Sequence, residues 1–436
     1  MYLLYHSCVI IGSMKKTNTS PISGMQELLP GAQNSFDKYK AVVQDVFKLH
    51  GFLHIETPVI ERTDILLAKA GGDTEKQIYR VFKTAETMKD SDQALRFDHT
   101  VPLARYVVEH ENDLKFPFKV TQIGRNFRGE RAQKGRFREF YQCDVDVIGR
   151  GELPIYYDAD VISTLLDTFR GFNLNTPVIA RISNRKILSG LIKAVNLEEK
   201  EKDIYSIIDH SEKVPEEKTV EALKEIGLEE ERVELLLRFM EIHGNGKSVI
   251  EDLKNLEIAN EEFEEGIKEL GEVIRLLEAD GYRNEARADM KIVRGLDYYT
   301  GTVFEFNLPK YAHVGSVCGG GRYENLAGYF TDQKLPGVGG SIGLTRLYYV
   351  LRENGLTQDS NEKPIDYAIV PISERETDYA MKVAKELRDK GAAVTVVASG
   401  KKLGDKLKYA AAIAKNGIVL GDAEVETGKY RVKEFV

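Results

Sequence analysis

One segment constrains the fold more than any other. From Phe118 to Ile148 the chain reads as two strands joined by a polar loop carrying Gly129 and Gly135, a long β-hairpin. A strand sends successive side chains to opposite faces, so Arg136, Arg138, Phe140, Gln142, Asp144 and Asp146 of the second arm share one face. Phe137, Tyr141, Cys143, Val145 and Val147 share the other and are expected in the core. The polar face is ordered by charge, with guanidinium groups toward the turn and carboxylates toward the far end. A ligand lying along it would set phosphates over the arginines and a cationic group over the acids. The plain alternative is a solvated sheet face whose charges pair across strands. Phe140 in the middle of that face, the two glycines and arginines on both arms make a rarer combination than a run of charge.

The chain around this hairpin is long enough to bury it. At 436 residues, 42% hydrophobic and 30% charged, it is expected to form two or three globular domains, which excludes both a small binding module and a disordered chain. A net charge of -8 excludes a basic whole-body nucleic-acid binder and a polybasic membrane protein, while leaving room for a local basic face. Cys8, Cys143 and Cys318 are odd in number, far apart and without metal-ligand spacing, so no metal site is expected and a reducing, cytoplasmic compartment is. The apolar start, Met1 to Gly12, is too short to span a bilayer and lacks a basic leader, so neither signal peptide nor membrane partner is expected. Residues 1–19 are read as a disordered N-terminal extension.

Periodicity supplies the rest of the layout. Gln33 to His50 carries apolar residues at helical spacing and ends at Gly51, a fitting C-cap. Phe52 to Ile60 alternates as a strand, but Pro58 confines it to an edge or an interface and suits a dimer contact. Gln77 to Lys83 and Ala94 to Phe97 read as further strands and Asp98 to His110 as a helix, which favours an antiparallel sheet. The fold class is therefore α+β. A sheet domain over 20–170 is interrupted by a helical insertion over 171–282 and resumes over 283–354. A small α/β domain of alternating strands and helices follows over 364–436.

Several segments of this layout carry a family resemblance. Phe127-Arg-Gly-Glu-Arg131 is similar to motif 2 of the class II aminoacyl-tRNA synthetases, Gly339-Gly-Ser-Ile-Gly-Leu-Thr-Arg346 to motif 3, and the helix and strand ending at Pro58 to motif 1. Arg294-Gly-Leu-Asp-Tyr-Tyr-Thr-Gly301 and Gly319-Gly-Gly-Arg-Tyr323 resemble the two signature segments of the histidyl-tRNA synthetases. The match runs in order from about Pro21 to Val436. The resemblance implies an antiparallel-sheet catalytic domain with a helical insertion and a C-terminal anticodon-binding domain. It implies a homodimeric ligase whose substrates are histidine, ATP with its Mg2+, and a cognate tRNA. The histidine carboxylate attacks the α-phosphate, pyrophosphate leaves, and the adenylate then passes histidine to the 3′ end of the tRNA.

By the same resemblance Arg128 and Arg294 are the catalytic cations at the carboxylate and α-phosphate. Glu130 meets the adenine amino group, Phe140 stacks on the ring, and Arg136 and Arg346 hold the γ-phosphate end. Asp98, Thr100 and Gln142 take the α-amino group, while Asp146 and Tyr299 take the imidazole. Tyr298 is either a histidine contact or ordinary strand packing. Arg131, Gln133 and Lys134 would meet the acceptor end, and Lys401, Lys402, Lys406 and Lys408 give the last domain a basic helix start. The chain departs from the family at Asp98, where Glu is common, and at Thr345, where many members carry an acid. His99 is read as structural. The rival reading is a paralogue of the same fold that binds histidine as a regulatory subunit and catalyses nothing.

Overall fold

The structure, a computed structural model, describes residues 17–68, 75–85, 91–293, 299–325, 327–357, 363–398 and 402–435. It resolves into two compact units, one of Met1–Leu28 with Phe36–Gln358, the other of Leu29–Ser35 with Asp359–Val436.

Up to Gln358 the elements run α1 (Pro30–Leu49), β1 (Leu53–His54), β2 (Ile60–Arg62), α2 (Thr63–Leu67), β3 (Arg80–Val81), β4 (Gln93–Leu95), α3 (Thr100–Glu109), β5 (Phe118–Phe127) and β6 (Glu139–Ile148). There follow α4 (Tyr156–Gly171), β7 (Ile179–Asn184), α5 (Arg185–Ala194), α6 (Glu201–Ser211), α7 (Glu216–Glu225), α8 (Glu230–Met240), β8 (His243–Gly244), α9 (Lys247–Lys254) and α10 (Glu261–Ala279). The larger unit closes with β9 (Ala286–Asp289), β10 (Thr302–Asn307), β11 (Cys318–Tyr323), β12 (Gly337–Ile342) and α11 (Leu344–Glu353).

Nine of these strands form one sheet in the order β1-β5-β6-β12-β11-β10-β7-β9-β8. The β1–β5 and β7–β9 pairs are parallel and every other pair is antiparallel. The hairpin is its spine, with β5 and β6 paired from Phe118↔Ile148 to Phe127↔Glu139. Cys143, Val145 and Val147 are fully buried in the main core with Phe36, Val43 and Phe47 of α1 and Ile162 and Leu165 of α4. Alternation thus divides β6 into a core face and a polar face, as a half-buried strand requires.

Glycine makes the centre of the sheet possible. Gly320 faces Gly340 and Gly321 faces Gly339 across β11 and β12. A Cβ on Gly320 would lie 2.0 Å from the Gly339 carbonyl oxygen, so only glycine permits this approach. The Arg322 that follows is pinned into α4 by a buried ion pair with Asp158, at 2.6 Å from Nη2 to Oδ1, and it also donates to the carbonyls of Leu153 and Pro154.

Three expectations change. Phe52 to Ile60 is not one strand: β1 pairs with β5, whereas β2 joins β4 and β3 in a separate three-stranded sheet. Pro58, which cannot donate, stands between them. β6 starts at Glu139 and not at Arg136, because Gly135 at φ +73 turns the chain and Gln133 bridges back to Arg136. The helical insertion expected over 171–282 contributes β7 to the main sheet, between β10 and β9, and its α5 and α10 bury Ile187, Leu191, Leu270 and Leu277 in the same core as α4. The sheet therefore runs into the insertion. Of the expected disordered extension, residues 1–16 lie outside the described residues and 17–19 are exposed.

The smaller unit contains β13 (Ile365–Pro371), α12 (Thr377–Asp389), β14 (Val394–Val396), α13 (Leu403–Ile413), β15 (Ala414–Leu420), α14 (Asp422–Thr427) and β16 (Val432–Glu434). Its sheet has the order β14-β13-β15-β16, parallel except at β16. Ile369 packs with Ala380 and Val383 of α12, while its neighbours Ala368 and Val370 pack with Ala410 on α13, so one buried strand serves a helix layer on each face. Among the described residues no helix is long and apolar enough to cross a membrane.

Candidate active site

A cleft of about 700 Å³ opens on the polar face of the large sheet, lined from β6, β11, β12, the start of α3, the hairpin loop and the first turn of α11. It brings together Asp98, Thr100, Arg128, Glu130, Arg136, Phe140, Gln142, Tyr299 and Arg346. These residues come from five separate stretches of the chain, and the sheet register is what assembles them.

Arg128 holds the cationic end. Its guanidinium carbon lies 4.3 Å from the Phe97 ring centroid and 5.1 Å from that of Phe140, and Nε donates to the Phe97 carbonyl at 3.4 Å. Burial lowers its pKa, opposed by the charges of Asp98 and Glu130, yet a guanidinium stays protonated in any protein setting. Arg136 reaches Glu130 at 3.6 Å and is more than half exposed, and Arg346 donates through Nη2 to the Val314 carbonyl at 2.6 Å. Arg128 and Arg346 are therefore held by rings and carbonyls, whereas Arg136 is held by its contact with Glu130.

The acidic end is a network. Asp98 Oδ1 accepts from the Val101 N–H at 3.1 Å, which caps the start of α3. Ser341 donates to Asp144 Oδ1, Gln142 Nε2 donates to Ser341 Oγ at 2.7 Å, and Asn126 Nδ2 donates to Gln142 Oε1 at 2.8 Å. His99 Nδ1 lies 3.0 Å from Asp144 Oδ2. Asp144 and Ser341 line the cleft, although sequence reasoning did not include either among the site residues. The alternation that puts Gln142 there puts Asp144 there too.

Asp146 lies two residues beyond Asp144 on the same face of β6 and is buried, and Tyr323 donates to its Oδ1 at 3.0 Å. Burial, then the charge of Asp144, push its pKa up to about 8, against the hydrogen bond from Tyr323. Gly339 makes the space, because a Cβ there would stand 2.0 Å from Asp146 Oδ1. Phe137, expected in the core, lines the cleft instead and meets Tyr349 edge-on at 5.6 Å, since the strand whose alternation would bury it has not yet begun. Arg138 turns away and donates to the carbonyls of Glu130 and Ser23.

Thr345 has a local role. Tyr141 lies beyond the end of the β12 ladder, and its N–H donates to Thr345 Oγ1 at 2.8 Å, which ties α11 to β6. Arg131, Gln133 and Lys134 are exposed on the hairpin loop, apart from the cleft lining. Arg294 and Tyr298 lie outside the described residues, as does Lys401. In the smaller unit Lys402 and Lys408 are exposed. Lys406 is buried, with Nζ donating to the Pro371 carbonyl at 2.9 Å, so it is withdrawn from the basic face expected of it.

Comparison with known proteins gives these features a family. The family model described as Histidyl-tRNA synthetase matches residues 24–347, and one described as Anticodon binding domain matches residues 366–435. The chain is 43% identical to a histidine–tRNA ligase of Clostridium tetani, over 97% of this chain and 95% of that one. It is 41% identical to that of Clostridium acetobutylicum, over 97% and 96%. A solved histidyl-tRNA synthetase from Nostoc sp. PCC 7120 superposes with a TM-score of 0.86 at 35% identity, covering 96% of this chain and 95% of that one. A Bacillus halodurans structure titled as an ATP phosphoribosyltransferase regulatory subunit/histidyl-tRNA synthetase shares the fold, with a TM-score of 0.74 at 22% identity, covering 88% of this chain and 93% of that one. On the span of the family match and the identity to relatives of equal length, the chain belongs to the histidyl-tRNA synthetase family.

Proposed function

We propose that the chain activates histidine with ATP, releasing pyrophosphate, and then transfers histidine from the adenylate to the 3′ end of its cognate tRNA. The observation that carries this reading is the polarity of the cleft. Its lining combines a guanidinium resting over two aromatic rings with carboxylates held by hydrogen bonds. Such a site suits a substrate pair with phosphates at one end and an ammonium at the other. Adenylation needs no protein nucleophile. It needs the attacking carboxylate held in line with the α-phosphate, and cations to offset the charge that builds there.

In this reading Arg128 and Arg294 stabilise the α-phosphate. Phe140 and Glu130 receive the adenine, and Arg136 and Arg346 hold the γ-phosphate end. Asp98, Thr100 and Gln142 take the α-ammonium of histidine, with Tyr299, Tyr298 and Asp146 toward the imidazole. Asp146 accepts a hydrogen bond from Tyr323. Mg2+ enters with ATP as the nucleotide's counter-ion. Arg131, Gln133 and Lys134 meet the acceptor end, and the smaller unit meets the anticodon.

A homodimer through the region of α1 to β2 is part of the proposal. Leu49, Leu53, Val59 and Ile60 are exposed there, an apolar surface that a second copy would cover. Cytoplasmic localisation fits the buried thiols of Cys143 and Cys318. The test is charging of the cognate tRNA with labelled histidine, and absence of charging under conditions that support a control ligase would overturn the reading.

A further inference from the structure

Five polar side chains at the acidic end form one directed run, Asn126 to Gln142 to Ser341 to Asp144, with His99 closing it from the far side. The directions follow from chemistry. An ionised carboxylate only accepts, so the Ser341 hydroxyl points its hydrogen at Asp144 and leaves a lone pair for the Gln142 amide nitrogen. The Gln142 oxygen is thereby turned to Asn126. On the other oxygen of Asp144 the donor is the Nδ1–H of His99.

His99 is 1% exposed and its Nε2 has no hydrogen-bond partner among the described residues. A buried imidazole with one nitrogen unpaired is costly compared with an apolar side chain of similar size. What it gains is the bond to Asp144. With one donor on each oxygen, the Asp144 carboxylate cannot rotate without losing a hydrogen bond, and its remaining lone pairs are held toward the cleft it lines. Asp98, by contrast, has one oxygen engaged in capping α3. An ammonium entering a cleft that already holds the Arg128 cation gains from a second fixed carboxylate.

We propose that His99 is a positioning residue, which through its hydrogen bond locks Asp144 as a second acceptor, beside Asp98, for the α-ammonium of the amino-acid substrate. This rests on the functional reading above. It adds Asp144 as a substrate contact and gives His99 a purpose in recognition beyond filling the core.

The experiment compares two ligands by calorimetry on the full chain. They are L-histidine and imidazole-4-propionate, which lacks only the α-amino group. In His99→Leu the Kd for histidine should rise about tenfold, the loss of one charge-assisted contact, while the Kd for imidazole-4-propionate should stay within about twofold. Asp144→Asn should repeat that pattern. His99→Gln, whose amide N–H can still donate to Asp144, should stay within about threefold for histidine. Equal weakening of both ligands in these variants, or no change in either, would overturn the proposal. Histidine binding absent from the unaltered protein would overturn the functional reading beneath it as well, and so tells the two failures apart.

Discussion

Tyr323 donates its phenolic hydrogen to Oδ1 of Asp146 over 3.0 Å, in a layer where both side chains are buried and the facing residue of the next strand is Gly339. Asp146 lies two residues along β6 from the cleft-lining Asp144, so its protonation bears on both stability and ligand recognition.

Burial holds the Asp146 carboxyl at a pKa of about 8, far above its unfolded value of about 3.9. Between those values the folded chain keeps a proton that the unfolded chain has released. The contribution of this group to stability is therefore full below about pH 4 and is lost as pH rises through about 8. Denaturant unfolding of the unaltered chain and of Asp146→Asn should give a stability difference that shifts against the unaltered chain from pH 5 to pH 8, at about 1.4 kcal/mol per unit of displaced pKa. Tyr323→Phe removes a hydrogen bond that favours the ionised form, so it should carry the end of this window to higher pH. Parallel curves for the unaltered chain and Asp146→Asn would contradict the assignment.

Arg128 lies over two rings, and only a planar guanidinium can do so while presenting its donors sideways. Arg128→Lys should lower the rate of adenylate formation by about 10²- to 10³-fold, the usual loss on removing one transition-state donor. The KM for histidine should change little. Near-normal turnover in this variant, read from single-turnover kinetics, would show that charge alone suffices.

A methyl group on Gly339 would stand 2.0 Å from Asp146 Oδ1, with β12 buried on both sides. Gly339→Ala should abolish histidine binding or prevent folding, visible by calorimetry and circular dichroism. Gly404 in the first turn of α13 has nothing within 4 Å of the same added atom. Gly404→Ala should raise stability by about 0.5–1 kcal/mol, because alanine has less unfolded-state entropy to lose.

Lys402 at the N-cap of α13 and Lys408 in its second turn are exposed, whereas the Lys406 ammonium is spent on the Pro371 carbonyl. The double variant Lys402→Glu with Lys408→Glu should raise the KM for tRNA several-fold and leave adenylate formation unchanged. Lys406→Met should lower thermal stability and leave tRNA affinity intact. Filter-binding titrations and unfolding curves separate the two, and tRNA affinity lost with Lys406 alone would contradict the division.

Much of this was legible because it depends on local spacing. The period of two in β6 foretold that Cys143, Val145 and Val147 are core while Phe140 and Gln142 lie on the opposite face, where they line the cleft. The helical spacing around Phe36, Val43 and Phe47 foretold α1. What failed depends on where an element begins or on contacts far apart in the chain. Phe137 enters the cleft because Gly135 delays the strand. The hydrogen bond between His99 and Asp144 spans 45 residues, and that between Gln142 and Ser341 spans 199, set by a sheet register that no local pattern encodes. Lys406 was read as a surface charge because a helix start says nothing of which carbonyls lie beneath it. The polar insertion helices were legible as helices, but β7 was not, since six residues between helices carry little period.

The most direct measurement is histidine-dependent exchange of labelled pyrophosphate into ATP, without tRNA and against a panel of other amino acids. The account predicts exchange with histidine alone. Folded protein that binds histidine yet supports no exchange with any amino acid would contradict it, and would mark the cleft as a histidine-binding regulatory site.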